Sequence, residues 1–440
     1  MKFAQKDEVV YASGQVGSVE ERGLLSELKN VNRPQWYAFI GAWSGWLLDG
    51  FDFSILSFLL IDIQHSFTVG KALAGALGTV TLVFRLVGGT VGGTLADRIG
   101  RKRPLIWSIV WISLFSVLSG YSTSYGMLFA FRALFGVGMG ALWACGMPLA
   151  LEHWPRQLRG IASGLLMGGF NWGYMLAAVT FQLMYSGLRT GNIPGWRVLF
   201  YVSGIPVIFI LWIRKNVMES PVWLADQEQA RRGARKSTLS IREIFGAEYI
   251  GTTIHCSLLM GAILCTYYSV NFWYPTALRE IHVEPIRYLI ALNLGGIIGT
   301  VGWGRISEGA IGRRGALSVA AIAGTLTTPF FIAFRNPAIL TLGALLIGAC
   351  AVGALGVVPS YLAERFPTRV RGVGPSFAYH AGAFLASFTP AFIGVLQDRG
   401  IGLRASMAWG IALSGGLTVL MVRLGPETRG REFSVPIPVE

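Results

Sequence analysis

Residues 100–105 read GRKRPL, and residues 312–317 read GRRGAL. A second pair of stretches follows the same spacing, because EHWPRQLRGI at 152–161 returns as ERFPTRVRGV at 364–373. Each copy begins 212 residues after its original. Two unrelated loops would not share one offset by chance. The chain therefore consists of two related halves.

The composition assigns both halves to a membrane. The chain is 53% hydrophobic and only 14% charged, against roughly 25% charged in a soluble domain. Hydrophobic segments of about 20 residues recur throughout, and each is long enough to cross a hydrocarbon core at 1.5 Å per residue. Soluble core helices are shorter and carry a polar stripe. The lipid bilayer is thus the expected partner, and the placement of the +14 net charge argues against nucleic acid.

Hydropathy and chain breakers predict twelve membrane spans, six on either side of a polar, basic stretch near 214–248. The fold class is an all-α membrane protein of two six-helix bundles. The predicted spans are 36–61, 72–96, 104–121, 125–149, 161–186, 197–214, 249–276, 287–305, 316–335, 338–362, 372–396 and 405–424.

The distribution of basic residues predicts the orientation. Most of the 37 Lys and Arg residues fall in the tails and in the loops that follow even-numbered spans, so both termini should be cytoplasmic. An even number of spans per half makes the halves parallel repeats, with a cavity at their seam near the bilayer midplane. The expected division is an N-terminal segment 1–35, a bundle 36–214, a linker 215–248, a bundle 249–424 and a tail 425–440.

Two acids lie well inside a span. Asp49 and Asp52 are three residues apart, and Gly50 between them leaves their helix open to a neighbour or to water. A charged side chain at the bilayer centre costs about 2.5–3.5 kcal/mol, so a functional role is the default hypothesis for each of these acids. Two close carboxylates cannot both ionise easily, so one could carry a proton. The sequence does not tell which of the two does so.

Two arginines also lie inside spans. Estimated at 1.5 Å per residue, Arg132 lies at about the depth of the two acids. Its guanidinium fork could bind a substrate carboxylate, although a structural salt bridge to one of the aspartates is the alternative. Arg85 lies deeper towards the predicted cytoplasmic side and is the weaker candidate. A helix-packing pair with a loop acid would explain it.

Polar and aromatic side chains at mid-depth could line a cavity, or could equally bond a neighbouring helix. Those expected to bind substrate beside Arg132 are Asn171, Trp172, Tyr174, Tyr268, Asn271, Tyr379 and His380.

Charged residues in the repeated loops form a candidate gate. Asp97 ends a span and could pair with loop arginines or with a neighbouring helix N-terminus, which would make a latch that holds one conformation and breaks in another. The second copy is degenerate, because Gly309 stands where Asp97 would be and Glu308 precedes it. The gating candidates are Asp97, Arg98, Arg101, Lys102, Glu152, Arg159, Glu364 and Arg371.

The loop 93–102, GTLADRIGRK, resembles the signature loop of the major facilitator superfamily. Residues 32–36, NRPQW, and 46–53, WLLDGFDF, resemble the sialic acid and lactate/proton symporters of that superfamily. The Asp-Gly-Phe-Asp motif is shared with aromatic-acid/proton symporters, in which both acids matter for transport. The resemblance thus implies that Asp49 and Asp52 couple to protons and that Arg132 serves with them.

Two departures leave the substrate open. Lactate permeases of this group carry a His and an Asp where Tyr268 and Phe272 stand here, and sialic acid members often insert two extra spans that the linker is too short to hold. The resemblance therefore implies an organic acid of unspecified size.

The resulting prediction is a monomeric, multi-pass protein of the bacterial inner membrane that takes up an organic acid anion with protons. No cofactor or metal is expected, and no enzyme constellation or ATP-binding loop suggests itself. Three alternatives stay open. Proton-coupled drug antiport is disfavoured because residues 165–179 lack a Gly-Pro kink. A transporter-like nutrient receptor is disfavoured by the short tails. Sodium could replace the proton.

Overall fold

The computed structural model describes residues 28–29, 31–188, 194–232 and 240–431, and every regular element in these ranges is helical. Most of the predicted segment 1–35 and the end of the tail 425–440 lie outside this description. The first half contains seven α-helices, which are α1 Arg33–Phe67, α2 Lys71–Ile99, α3 Lys102–Gly120, α4 Tyr125–His153, α5 Arg159–Leu188, α6 Gly195–Val202 and α7 Phe209–Asn216.

Two short helices, α8 Pro221–Arg231 and α9 Ser240–Ile244, occupy the described part of the linker. The second half repeats the first with more interruptions. Its helices are α10 Ile250–Asn271, α11 Tyr274–Glu280, α12 Ile286–Ile306, α13 Gly312–Ile332, α14 Pro337–Ile347, α15 Val358–Arg365, α16 Val373–Ala386, α17 Thr389–Asp398 and α18 Leu403–Leu424.

These helices account for the twelve predicted spans. Nine described segments are long and apolar enough to cross a membrane by length and composition, and α1, α5 and the α6–α7 pair correspond to the other three. Large apolar side chains such as Leu183, Leu211 and Leu326 are exposed on the outside of the bundles, as expected of a surface that faces lipid. The predicted all-α architecture of two bundles is confirmed.

Local signals set several helix starts. The Asn32 side chain accepts a hydrogen bond from the Gln35 backbone N–H at 3.0 Å, and the Gln35 side chain accepts one from Asn32 N at 2.9 Å, which makes a capping box. Ser124 caps α4 through Met127 N at 3.2 Å. These caps satisfy N–H groups that have no partner inside the helix.

Glycines bring the helices of each half into backbone contact. A Cβ on Gly88 of α2 would lie 1.8 Å from the carbonyl oxygen of Val137 in α4, and one on Gly140 would lie 2.0 Å from that of Arg85. The second half repeats this packing, since a Cβ on Gly299 of α12 would lie 2.0 Å from Ala349 O. Small residues at such crossings are the usual basis of helix association in a bilayer.

This packing predicts that Gly88→Ala destabilises the protein. The added methyl group would push α2 from α4, and overpacking of this kind costs about 1–3 kcal/mol. Gly78→Ala on the same helix is the matched control, because a Cβ there meets no atom of the described residues within 4 Å and alanine favours the helix. Thermal unfolding in detergent should give a lower midpoint for Gly88→Ala only. An unchanged midpoint would contradict the close approach.

The halves meet along two helix pairs. On one side α5 packs against α12, where a Cβ on Gly164 would lie 2.2 Å from Thr300 O. On the other side α2 packs against α16, where a Cβ on Gly93 would lie 2.6 Å from the Val373 Cα. One end of the molecule carries the repeated charged loops 97–103, 152–159, 305–314 and 364–371, and is called the basic end below.

Candidate functional site

Asp49 and Asp52 lie where α1 packs against α5. Gly50 permits this approach, because a Cβ there would lie 2.4 Å from the carbonyl oxygen of Phe170. Both acids are buried, with exposed fractions of 0% and 3%. Positions three apart point about 60° from one another around a helix. The two carboxylates consequently meet different helices.

Asp52 pairs with Arg132 of α4. Both terminal nitrogens of Arg132 lie 3.0 Å from Asp52 Oδ2, and Ser116 Oγ donates to Asp52 Oδ1. The Arg132 guanidinium carbon lies 4.1 Å from the ring centre of Phe135 and 4.9 Å from that of Phe200. This buried pair lies wholly within the first half. It matches the alternative in which Arg132 forms a structural salt bridge with one of the aspartates.

Asp49 pairs instead with Arg85 of α2. Arg85 Nη2 lies 3.1 Å from Asp49 Oδ2, and Arg85 Nε donates to His380 Nε2 of α16 at 3.0 Å. His380 Nδ1 lies 2.8 Å from the Ser376 carbonyl oxygen. Because an Arg Nε–H can only donate, His380 Nε2 accepts, and the proton of the neutral ring is on Nδ1. Arg85 thus links an acid of the first half to a histidine of the second.

A cavity lies between the halves beside Arg85. The centres of water-sized molecules can occupy a volume of about 50 Å³ inside it. That volume is enough for a few water molecules. Arg85, Asn171 and Thr300 supply polar groups to its lining. Six aromatic residues make up half of the remaining lining, namely Trp46, Phe53, Phe170, Tyr267, Tyr268 and Tyr379.

The structure brings together part of the predicted binding set. Asn171, Tyr268 and Tyr379 line the cavity, and His380 lies directly behind it against Arg85. Their roles in binding stay predictions.

Four other predicted binding residues lie elsewhere. Trp172 is 46% exposed, Tyr174 packs edge-on against Phe58 at 5.8 Å, and Asn271 donates to the Tyr267 carbonyl oxygen at 3.0 Å. Arg132 is bound to Asp52 outside the cavity lining. Helical spacing explains why Trp172 does not line the cavity that Asn171 lines, since adjacent residues of an α-helix point about 100° apart.

Arg85 and the aromatic wall of α1 are the main residues missing from the predicted set. The partner of Arg85 is a membrane-embedded aspartate and not a loop acid, so the expected packing pair with a loop acid is wrong. Trp46 and Phe53 lie three residues before and four residues after Asp49. They share its helix face at a spacing of 3.6 residues per turn, so the sequence contained that signal.

The first charged network at the basic end surrounds Arg101, which is fully buried. Its guanidinium lies 3.1 Å from Asp97 and 3.3 Å from Glu152, and donates to the Thr368 carbonyl oxygen of the second half at 3.1 Å. Burial alone would lower the pKa of Arg101, but Glu152 and Asp97 raise it above its usual value. Glu152 also lies 3.2 Å from Arg371.

Asp97 crosses to the second half. Its two carboxylate oxygens accept hydrogen bonds from Gly372 N at 2.8 Å and Val373 N at 3.0 Å, at the start of α16. The first turn of a helix presents unpaired N–H groups and a partial positive charge, which favour a carboxylate. The predicted contact of Asp97 with a neighbouring helix N-terminus is present.

The second half contains an equivalent network in spite of its degenerate loop. Arg313 is fully buried and lies 2.9 Å from both Glu308 and Glu364. Gly160 N, at the start of α5, donates to Glu308 Oε1. Glu308 therefore makes the contact that Asp97 makes in the first half, although it stands one position earlier in the repeat.

The remaining gating candidates lie around these networks. Lys102 Nζ donates to the Arg214 carbonyl oxygen at 2.9 Å, and Arg159 donates to the Arg431 carbonyl oxygen at 3.3 Å. Arg98 is exposed. The first two contacts tie the loops to chain segments that end each bundle.

An acid from the end of each bundle caps each network. Glu219 accepts from Arg101 N at 2.7 Å, and Glu427 accepts from Arg313 N at 2.9 Å. Gly100 and Gly312 precede these N–H groups at φ 99° and 66°, which glycine adopts without strain. Burial alone would raise the pKa of Glu427, but backbone N–H groups, with that of Arg429 foremost, hold it below its usual value.

Hydrogen bonds also join the halves between the basic end and the cavity. Ser163 Oγ of α5 donates to the Gly356 carbonyl oxygen at 2.5 Å and accepts from Ser360 N at 3.2 Å. Gly356 belongs to a 3-10 segment that follows a π-helical segment, Gly348–Val352, between α14 and α15. The basic end is therefore closed in this conformation, and the cavity is separated from it by packed helices.

Comparison with known protein families gives a match over most of the chain. The model of the Major Facilitator Superfamily matches residues 42–390. Among solved structures, the proton:xylose symporter XylE superimposes with a TM-score of 0.72 over 91% of this chain and 98% of its own, at 19% sequence identity. That likeness concerns the fold.

Several curated proteins are similar over nearly their full length. A "Probable 4-methylmuconolactone transporter" of Cupriavidus pinatubonensis is 33% identical over 89% of this chain and 90% of its own. The "Sialic acid transporter NanX" of Escherichia coli is 30% identical over 81% and 85%. The "Cis,cis-muconate transport protein" of Acinetobacter baylyi is 30% identical over 83% and 89%.

Proposed function

The chain belongs to the Major Facilitator Superfamily, and we propose on this premise that it takes up an organic acid anion together with protons. Members of this group are secondary transporters, so the driving force is an ion gradient and not ATP. The proposed location is the bacterial inner membrane, with the basic end in the cytoplasm.

The observation that carries this proposal is the central cavity with one guanidinium on its wall. A cavity at the seam of two parallel repeats is where such folds bind their solute. Arg85 contributes a positive charge there, and an arginine fork matches a carboxylate in two-bond geometry. An organic anion is the solute class that this wall suits best.

The aromatic lining supports a flat acid within that class. Stacked or edge-on aromatic contacts add about 0.5–1.5 kcal/mol each beyond area burial. Three similar proteins bear names that refer to muconolactone, muconate and sialic acid. The first two are unsaturated acids or lactones of small size. Sialic acid and small monocarboxylates stay within the proposal, but a planar conjugated acid fits six aromatic rings better than a polyhydroxylated one.

Alternating access would proceed by rocking of the two halves. The present conformation is closed at the basic end by Asp97 and Glu308, each of which accepts N–H bonds from the opposite half. Opening that end requires both acids to leave their helix N-termini. The predicted gating residues would then act as a pair of latches related by the internal repeat.

Proton coupling is proposed for Asp49 and Asp52. Both are membrane-embedded acids with an arginine partner, and such residues commonly carry protons in transporters. A proton that enters with the anion offsets its charge, which lowers the cost of moving the anion through a low-dielectric seam.

Thermal unfolding with a panel of acids tests the proposed substrate class. The panel contains sialic acid, lactate, pyruvate, benzoate and cis,cis-muconate, with benzamide as the neutral match of benzoate and with sugars and organic cations as the competing solute classes. A true substrate at a hundred times its dissociation constant adds about 2.7 kcal/mol of stability, so at least one acid should raise the midpoint while benzamide does not. Stabilisation by sugars or organic cations, with no response to any acid, would refute the proposal.

A further inference from the structure

We propose that Arg85 is the receptor of the substrate carboxylate and that the substrate displaces Asp49 from it, so that Asp49 takes up the transported proton. This inference rests on the proposed function and deepens it. It assigns different tasks to two acids that the sequence could not distinguish, and it assigns the substrate to Arg85 instead of Arg132.

Access separates the two arginines. Arg85 is part of the cavity wall, whereas Arg132 lies outside it between Phe135 and Phe200 and is bound to Asp52 through both terminal nitrogens. A guanidinium has five N–H donors, and Arg85 uses one with Asp49 and one with His380. A ligand in the cavity can therefore reach Arg85 without dismantling the first-half core.

The hydrogen bonds of the two acids support the same division between Asp49 and Asp52. Asp52 uses both oxygens, one with Arg132 and one with Ser116. Among the residues that the structure describes, Asp49 uses only Oδ2, and its buried Oδ1 has no hydrogen-bond partner. An unpartnered buried carboxylate oxygen is costly, so Asp49 is the acid that is held less firmly and can exchange.

The exchange conserves charge. Before binding, the site holds the Arg85 guanidinium and the Asp49 carboxylate. After binding, the guanidinium is paired with the substrate carboxylate, and Asp49 is left in a buried position without its counter-ion. Such a group neutralises by taking up a proton, which comes from the solution on the side where the cavity opens. One substrate carboxylate and one proton thus enter together, and neither binds well without the other.

The surroundings of Asp49 are consistent with this assignment. Arg85 faces it from α2, and Asp52 follows it on α1. Beyond Arg85 lie Tyr379 and His380 of α16, with the Tyr379 ring centre 5.7 Å from the guanidinium carbon. His380 is neutral by its hydrogen bonding, so Arg85 is the cation that faces the Asp49 carboxylate among the described groups.

A ligand-free infrared measurement tests the exchange by itself. In Arg85→Met, Asp49 has lost its counter-ion, so the carbonyl band of a protonated carboxyl should appear at pH 7. Adding Asp49→Asn should remove that band, and adding Asp52→Asn should not. Arg85→Lys, which keeps a positive charge, should lack the band. A band that follows Asp52, or no band in Arg85→Met, would overturn the proposal. Arg85→Gln replaces Arg85→Met if the latter does not fold.

A binding measurement with cis,cis-muconate tests the receptor. Loss of charge-assisted hydrogen bonds should weaken binding to Arg85→Met by about 10- to 100-fold. Proton uptake on binding, followed with a pH indicator in weak buffer, should vanish in Asp49→Asn. Unchanged affinity in Arg85→Met, with binding intact in the wild type, would refute the receptor and leave organic acid transport standing. Absence of binding to the wild-type protein would count against the proposed function, and the infrared result would still decide on the exchange.

Discussion

Replacing Asp49 with Asn should abolish proton-driven accumulation of the transported acid in proteoliposomes. An amide cannot carry the proton, so a pH gradient can no longer drive the solute uphill. Counterflow, which exchanges labelled solute for unlabelled solute at equal concentration, needs no net proton movement and should persist. Initial rates of both modes, measured side by side, give the result.

Two further variants of α1 complete this experiment. Asp52→Asn should abolish both modes and lower the unfolding midpoint, because it leaves Arg132 buried without its partner, at a cost of about 3–5 kcal/mol. Asp62→Asn, near the C-terminal end of α1, is the control and should behave as the wild type. Accumulation that survives both Asp49→Asn and Asp52→Asn would remove the proton-carrier role from this helix.

Replacing Arg101 with Met should cause a large loss of stability. Arg101 is fully buried, and its loss removes a counter-ion from both Glu152 and Asp97, which it contacts at 3.3 and 3.1 Å. Removing one partner from a buried ion pair lowers the free energy of unfolding by about 3–5 kcal/mol. The unfolding midpoint should fall accordingly, and Arg313→Met in the second half should have a similar effect.

The adjacent residue supplies the control. Lys102 is only partly buried, and its Nζ donates a hydrogen bond to the Arg214 carbonyl oxygen. Lys102→Met should therefore change stability by less than about 1 kcal/mol. Equal losses for Lys102→Met and Arg101→Met would mean that charge at this loop matters and that the buried network does not.

Much of the fold follows from features visible in the sequence. The common offset of 212 residues established the repeat, and hydropathy located the spans. Hydropathy alone does not show the breaks inside the later spans, because the residues on both sides of each break are apolar. Pro275, Pro359 and Pro390 stand at the starts of α11, α15 and α17, where proline is favoured, so these residues could have predicted three of the new helix starts.

The two acids of the site were predictable and their partners were only partly so. The free-energy cost of burying a charge in the membrane identifies Asp49 and Asp52 as functional candidates. The depth of Arg132 in its span places it at the level of these two acids. Depth alone does not determine the partners, because rotation about the helix axis decides which neighbouring helix each carboxylate meets. The angle between positions 49 and 52 directs one carboxylate to α2 and the other to α4, which makes two ion pairs where the sequence suggested one cluster.

The second latch shows how a degenerate motif can keep its contact. Alignment of the repeats set Gly309 against Asp97, and this made a second latch uncertain. Glu308 is one residue earlier and one methylene longer, and it reaches the N–H of Gly160. Side-chain reach compensated for register, which a comparison of aligned positions does not detect.

Proton movement during solute entry tests the central claim most directly. Proteoliposomes with a pH indicator in a weakly buffered lumen are mixed with cis,cis-muconate at equal pH on both sides, with sodium replaced by potassium. Symport predicts that the lumen acidifies as the labelled acid enters, faster than in protein-free liposomes and not in Asp49→Asn. Entry of the acid with an unchanged or more alkaline lumen would contradict proton-coupled uptake.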